Sequence, residues 1–557
     1  MAVFSTLRLS RRALGAVLVL VLGVGTAYAD RKTVCTITVN SSDEKTTFSR
    51  NLPADKYQFV ELVEHGRPDW LASACSRGVR CDVLVISGHY DGGNEFFADD
   101  LARNEFLPVD ELERASCSGA CSGLFAQLKE VYLFGCNTLN SEAANRVSSD
   151  IGRTLLRAGH SRSDVERLTR ALAVRHGESS RDRMRLIFND VPLIYGFSSV
   201  APLGPEAASL LQRHFRTAGA DEVGSGRASS RLLGQFAGRS MVVATGLKAG
   251  EPQAGHRNDV CTFADDRLTT AQKLDFVHQV LRRDAPEARM FLERIERQTT
   301  ALSDSDRSDA GVAAALEGLA ADRFARERYL DDARDAEPAA VRVRMLAVAR
   351  DLGWLTAAEH QSELLQMIGE HAAKDAIGAA ETDLVCALDR ERGLDRDAAL
   401  LELIATPGDS VGKAAVLACM GDPESRQRML RALTSTDERD AQIARVYLRH
   451  HPIADVAELR ELTAGIARMN GSPAQARALD ALAGLRLSDP ATLDALARLF
   501  EAARSPSVQT AIAGVFIRSD YDAVDRPELV QTLRDHRLKS PDAPGLIDVL
   551  IRRLQAN

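Results

Sequence analysis

Three short apolar runs, at residues 83–86, 131–134 and 191–194, set the strongest limit on how this chain can fold. They do not alternate apolar-in, polar-out. Runs of this kind fit strands buried on both faces, the habit of a parallel sheet. Between and beside them, residues 112–128, 141–158 and 163–174 are amphipathic at helical spacing. Strands alternating with helices predict a doubly wound α/β domain. Residues 34–39 and 57–63 read as earlier strands, separated by a turn at Ser41-Ser42-Asp43. Residues 68–76 read as a helix bearing Trp70 and Leu71, residues 206–215 and 230–236 as further helices, and residues 241–245 as a last strand.

The pattern changes after Gly246. Residues 248–256 are rich in Gly, Pro and polar side chains, which predicts a linker over 247–268 between an α/β domain at 30–246 and an all-helical region at 269–557. Short helices in that region are separated by Pro, Gly, Asp and Ser. Segments starting at Ser410, Ser472 and Ser505, with a looser one at Asp440, share a polar start followed by Ala and aliphatic residues at helical spacing. Their recurrence at about 30 residues is the range of stacked helix pairs, and the region resembles HEAT-like repeats most clearly over 380–557. An irregular all-helical domain is the plainer alternative.

Compartment follows from the first thirty residues. Arg8, Arg11 and Arg12 precede an apolar run at 13–25, and Ala27-Tyr28-Ala29 supplies a small-x-small cleavage site, so a signal peptide cut after Ala29 is expected. The run is short for a spanning helix. A periplasmic or secreted protein, free of the membrane after cleavage, is the resulting expectation. Net charge is −8, with acids outnumbering the dispersed Lys and Arg, which argues against a nucleic-acid partner. An oxidising compartment makes disulfides the first reading of the nine cysteines, and an odd count leaves a thiol over. Cys117 with Cys121, and Cys75 with Cys81, are close enough in sequence to close small loops. No His/Cys spacing matches a zinc site, so no metal is expected, and no organic cofactor either.

The sharpest constellation for chemistry lies at the ends of two of the buried runs. One ends in Gly88-His89, the other in Gly135-Cys136. Functional groups of open parallel sheets collect at the carboxyl ends of strands. Consecutive strands joined by one crossover are commonly neighbours. His89 and Cys136 are then expected side by side, as a thiol and its base require.

On these motifs the chain resembles the caspase, gingipain and legumain type of cysteine peptidase, in which a His closes one strand of a doubly wound sheet and a Cys closes the next. The 47 residues from His89 to Cys136 are close to the caspase spacing. The motifs cover residues 80–140, and the strand order loosely covers 33–246. The resemblance implies peptide-bond cleavage by a Cys136/His89 dyad, with the backbone N–H groups of Tyr90 and Cys136 as oxyanion donors. It also implies a substrate pocket shaped by Tyr195, Gly196, Phe197 and Ser198 and the loop through Pro202 and Gly204. Asp91, Glu95 or Asp99 would favour a basic side chain there. Two departures stand out: Tyr90 follows the His where the family has Gly, and Phe134-Gly135-Cys136-Asn137 replaces the caspase Gln-Ala-Cys signature.

The remaining motifs carry less. His65-Gly66 and His176-Gly177 end no buried strand and read as loops, while His450-His451 falls at a helix end, where histidine suits the helix dipole. Gly224-Ser225-Gly226 lacks the Lys of a phosphate loop, and Val223 and Arg227 stand where a nucleophile elbow needs glycines. The competing reading is a catalytically inactive scaffold whose helical repeats bind a protein partner.

Overall fold

A computed structural model describes residues 31–556 apart from 64–70, 91, 93–94, 99–105, 143–146, 218–219, 393–409, 470–472, 521–522 and 539–545. The expected signal peptide, His65, Trp70, Asp91 and Asp99 lie outside the described residues. The chain divides into two compact units, one running to Arg294 and including Leu302–Ala315, the other comprising Ile295–Ala301 and Leu316–Asn557.

The first unit is built on β1 (Lys32–Thr38), β2 (Tyr57–Glu61) and β3 (Val83–Ser87), then a small antiparallel set, β4 (His89–Tyr90), β5 (Glu95–Phe97) and β6 (Phe106–Pro108). The chain returns to the main sheet with β7 (Glu130–Phe134), β8 (Leu193–Phe197) and β9 (Met241–Ala244). The main sheet runs β2-β1-β3-β7-β8-β9, all parallel except β9, which lies antiparallel to β8. Alternate residues feed two cores. Cys35, Ile37, Leu84, Ile86, Val131 and Leu133 meet the helices Val109–Cys117 and Ser180–Ile187 on one face. Val83, Val85, Tyr132, Phe134, Tyr195 and Phe197 meet Asp43–Asn51 and Gly204–Thr217 on the other. Double burial explains why the strands read as unbroken apolar runs. The expected turn at Asp43 is instead the start of a helix, whose Phe48 is buried against Tyr132.

One charged residue sits inside this sheet. Glu130, 1% exposed at the start of β7, accepts hydrogen bonds from Gly224 N–H (2.8 Å), Gly226 N–H (2.9 Å) and the Tyr132 hydroxyl (2.8 Å). Gly224 and Gly226 both have φ of +70°, a conformation that glycine adopts without strain. The Gly-Ser-Gly motif is therefore a nest filled by the protein's own carboxylate.

Disulfides fasten the unit, and the two expected short loops do not form. Cys35 pairs with Cys81, Cys75 with Cys121, and Cys117 with Cys261. Cys117 ends the helix Val109–Cys117, whereas Cys121 is turned into the core, 2% exposed, towards the helix Ala72–Ser76 that carries Cys75. The Cys117–Cys261 bond also overturns the linker reading. Residues 254–264 are helical, and Arg257 donates to Leu186 O (3.0 Å) and Ser116 Oγ (3.1 Å), so this segment belongs to the first unit.

His176 is no loop residue either. It closes the helix Arg162–His176, with Gly177 as its left-handed cap, and its Nδ1 lies 3.0 Å from Nδ1 of His256. Burial pushes His176 down to about 4, and burial followed by the facing His176 lowers His256 further, so both rings are neutral at pH 7.

The second unit is helical throughout its described residues. Helices follow in pairs, Val411–Cys419 with Pro423–Ala432, Glu438–His450 with Val456–Arg468, Pro473–Leu482 with Pro490–Ala502, and Pro506–Arg518 with Arg526–Asp535. Helices also pack on the next but one, Pro473–Leu482 on Pro506–Arg518 and Val456–Arg468 on Pro490–Ala502. Asp422, Asp437, Asp455, Asp489 and Asp525 each cap a helix with a side-chain oxygen. A repeated internal bond underlines the pattern: Gln475 Nε2 donates to Ile466 O (2.8 Å) and Gln509 Nε2 to Phe500 O (3.1 Å), each nine residues back. Cys386 and Cys419 form a disulfide here.

Replacing Glu130 by Leu strips a buried and a part-buried backbone donor and a tyrosine hydroxyl of their acceptor. Urea unfolding should show a loss of ~3–5 kcal/mol, and a loss below ~1 kcal/mol would mean that water takes over those bonds.

Candidate active site at the carboxyl edge of the sheet

β3 and β7 are paired with Ser87 opposite Phe134, and Gly88 N–H donates to Phe134 O (3.1 Å), one step beyond the strand. His89 and Cys136 therefore each come two residues after a matched pair, on adjacent parallel strands. The glycines before them have a steric cause. A Cβ on Gly135 would lie 2.9 Å from Gly88 O and 2.9 Å from Tyr90 Cβ, and a Cβ on Gly88 would lie 3.1 Å from that of Val39. Only at this width do the His89–Tyr90 and Gly135–Cys136 segments come together.

The chain after Cys136 is held in a tight turn. Asn137 has φ of +59°, uncommon for a residue with a side chain, and its N–H donates to Ser199 O (2.7 Å). Thr138 Oγ1 donates to Gly135 O (3.2 Å) and accepts from Phe197 N–H (3.1 Å). Cys136 is half-buried and is the one cysteine outside a disulfide. Its Sγ accepts the N–H of Ala201 at 3.3 Å. The His89 ring packs at 5.5 Å from that of Phe97, and Tyr90, 4% exposed, packs on Phe96 at 4.9 Å.

Both loops that leave the edge are tied to one helix start. Ser180 Oγ donates to Gly92 O (2.7 Å), in the loop after His89, while Arg181 N–H donates to Asn140 O (3.0 Å), in the loop after Cys136. The start of the helix Ser180–Ile187 thus ties the two loops to one element. Its role had no signal in the sequence beyond a Ser-Ser-x-Asp start.

Of the residues expected to shape a pocket, two turn their side chains away from the edge. Tyr195 and Phe197, 1% and 0% exposed, point into the second core, and Tyr195 hydroxyl accepts from Ser229 N–H (2.8 Å). Gly196 is covered by Thr138 and Leu139, and Ser198 N–H donates to Ser240 O (3.0 Å). A central strand is buried on both faces, so only the residues beyond its end are open. Val200 and Leu203, 72% and 50% exposed, stand there on either side of Ala201.

An acid that pattern reading missed lies at the same edge. Glu44, in the first turn of the helix Asp43–Asn51, is 3% exposed, and its Oε2 meets no hydrogen-bond partner. Burial raises its carboxyl to about 7, against the opposing influence of its own backbone N–H and of Ser87. The loop through Gly204 presses on Ser41, where a Cβ would not fit. Asp43 lies within hydrogen-bond distance of the Ser41 hydroxyl (2.9 Å).

As to metals, Cys386, Cys419 and His451 lie within 4.8 Å of one another in the second unit, but both sulfurs are spent in a disulfide. His450, at its helix end, sits 2.7 Å from Asp383 rather than facing open solvent. No family model, curated protein or solved structure matches this chain.

The raised Glu44 carboxyl has a definite sign. The folded state holds this proton more tightly than the unfolded chain, so the stabilisation is complete below about 4.5 and fades as pH rises through about 7. Glu44→Gln should therefore raise stability by up to ~3 kcal/mol at pH 8 and by little at pH 4.5. Thermal melts across that range measure it, and a constant offset would mean that ionisation of Glu44 is not the cause.

Proposed function

We propose that the first unit is a caspase-like cysteine peptidase domain of an exported protein, with Cys136 as nucleophile and His89 as its base. The observation that carries the reading is that eight of the nine cysteines are paired, and the remaining thiol sits at the end of the strand beside the one that leads to His89. A thiol left free in a disulfide-rich chain, on the edge where parallel sheets gather functional groups, is what a nucleophile needs and a structural cysteine does not. The disulfides also support export, and among the described residues no helix is long and apolar enough to cross a membrane.

In this reading the two side chains share one acyl-transfer cycle. His89 takes the thiol proton as Sγ of Cys136 attacks the peptide carbonyl, forming the C–S bond and placing charge on oxygen. The N–H groups of Cys136 and Tyr90 receive that charge. Collapse breaks the C–N bond, and the proton held by His89 passes to the leaving amine. Water, giving its proton to His89, then cleaves the thioester and restores the thiol. Val200 and Leu203 offer an apolar surface along which an extended peptide would lie.

For the second unit we infer a HEAT-like solenoid that holds a protein, supported by helix pairs packed on the next but one and by the recurring Gln475 and Gln509 bonds. A non-catalytic scaffold is the competing reading of the whole chain. It draws on the Ala201 N–H that already occupies Sγ of Cys136.

Alkylation of the non-reduced protein, mapped cysteine by cysteine, separates the two. Cys136 alone should react, and His89→Ala should slow it ~10-fold or more near pH 6.5. Cys136→Ala should abolish cleavage of a denatured protein substrate. If Cys136 proves inert and His89→Ala changes nothing, the peptidase reading falls.

A further inference from the structure

The second unit holds a cavity that the peptidase reading does not use. It has a volume of about 650 Å³ and lies along the helices Glu438–His450 and Pro473–Leu482, with the last residue of Pro506–Arg518 at its end. Its walls carry Arg445, Arg449, Arg477 and Arg518 against only two carboxylates, Glu438 and Asp480. The chain as a whole has a net charge of −8, so this excess of guanidinium is local.

The arginines are only partly engaged. Arg449 lies 3.5 Å from Asp383, and Arg518 donates to Ala483 O (3.1 Å). Among the described residues Arg445 and Arg477 have no carboxylate within ion-pair distance, and the buried Nε of Arg477 meets no acceptor. A buried guanidinium N–H without an acceptor costs free energy that a carboxylate ligand would restore. The floor between the charges is apolar, formed in part by Leu448, Ile453 and Leu485, all only partly buried.

A site of this size and make-up selects among anions. A small inorganic anion would leave the apolar floor uncovered. A nucleic acid would need a broad basic face, which an acidic chain with dispersed Lys and Arg does not offer. A peptide carrying both carboxylates and aliphatic side chains satisfies both parts, and a groove over successive helices is how stacked helix pairs present such a surface. We propose that this groove binds an acidic peptide segment of a partner protein, whose carboxylates pair with Arg445 and Arg477 and whose aliphatic side chains lie on Leu448, Ile453 and Leu485. The proposal rests on the second unit alone.

The test uses the full chain carrying Cys136→Ala, so that the probe is not consumed whichever way the peptidase reading is decided. Fluorescence anisotropy follows a labelled ten-residue peptide of Glu and Leu, with a Lys and Leu peptide and an all-Glu peptide as comparators. The Glu and Leu peptide should saturate at least ~10-fold more tightly than either comparator and weaken with salt. Arg445→Glu, at an exposed position, should weaken it ~10-fold with an unchanged melting temperature, and Arg477→Gln should weaken it in turn. Equal binding of the Lys and Leu peptide, equal binding of all-Glu peptide, or indifference to Arg445→Glu would each overturn the proposal. Tighter binding of a labelled single-stranded DNA than of the Glu and Leu peptide would also overturn it.

Discussion

The pairing of β3 with β7 is the interaction on which the rest of the first unit depends. These two central strands share a parallel ladder from Val83 opposite Glu130 to Ser87 opposite Phe134, and both are fully buried. Their side chains have no solvent face. Every backbone N–H and C=O in them must be satisfied inside the sheet, because an unpaired group there would cost as much as a lost hydrogen bond. Register is correspondingly rigid, since a slip by one residue would exchange Val85 and Tyr132 with Leu84 and Val131 between two differently shaped cores. The same rigidity delivers His89 and Cys136 to one level of one edge. The candidate site is thus a consequence of sheet packing before it is a matter of chemistry.

Polar groups are admitted to this interior only where geometry satisfies them. Glu130 is taken up by the backbone of Gly224 and Gly226. The Thr138 hydroxyl bridges Gly135 O and Phe197 N–H, which closes the turn after the thiol. Glu44 is the exception at the edge, held largely by burial and only partly by donors. Such an imbalance is tolerated at functional edges more often than in cores. The His176 and His256 pair shows the other solution, two rings that stay neutral because burial opposes charging either one, with the facing His176 adding to it at His256.

Much of the architecture was legible beforehand because it rests on local, repeating signals. The runs at 83–86 and 131–134 became β3 and β7, the last apolar segment became β9, and the segments beginning at Ser410, Ser472 and Ser505 became the helices Val411–Cys419, Pro473–Leu482 and Pro506–Arg518. The elements that escaped pattern reading were short or polar. The helix Asp43–Asn51 is dominated by charged and hydroxyl side chains, and Phe48 is its one buried apolar side chain. The small set β4, β5 and β6 has strands of two or three residues, too brief to show a period. The segment after Gly246 has the composition of a linker, yet a disulfide and Arg257 bind it to the core.

Local pattern set the succession of strands and helices, the change to an all-helical second half, and the pairing of Gly with His and of Gly with Cys at two strand ends. These are properties of neighbouring residues, and period and turn chemistry express them directly. Packing settled which cysteines pair, because Cys75 and Cys121, or Cys117 and Cys261, meet between elements far apart in sequence. It alone left Cys136 as the free thiol. It also turned Tyr195 and Phe197 inward, leaving Val200 and Leu203 at the edge, and gathered four arginines from three helices into one groove. Distances between segments separated by tens of residues are set by how their buried faces fit, and no local pattern carries that information.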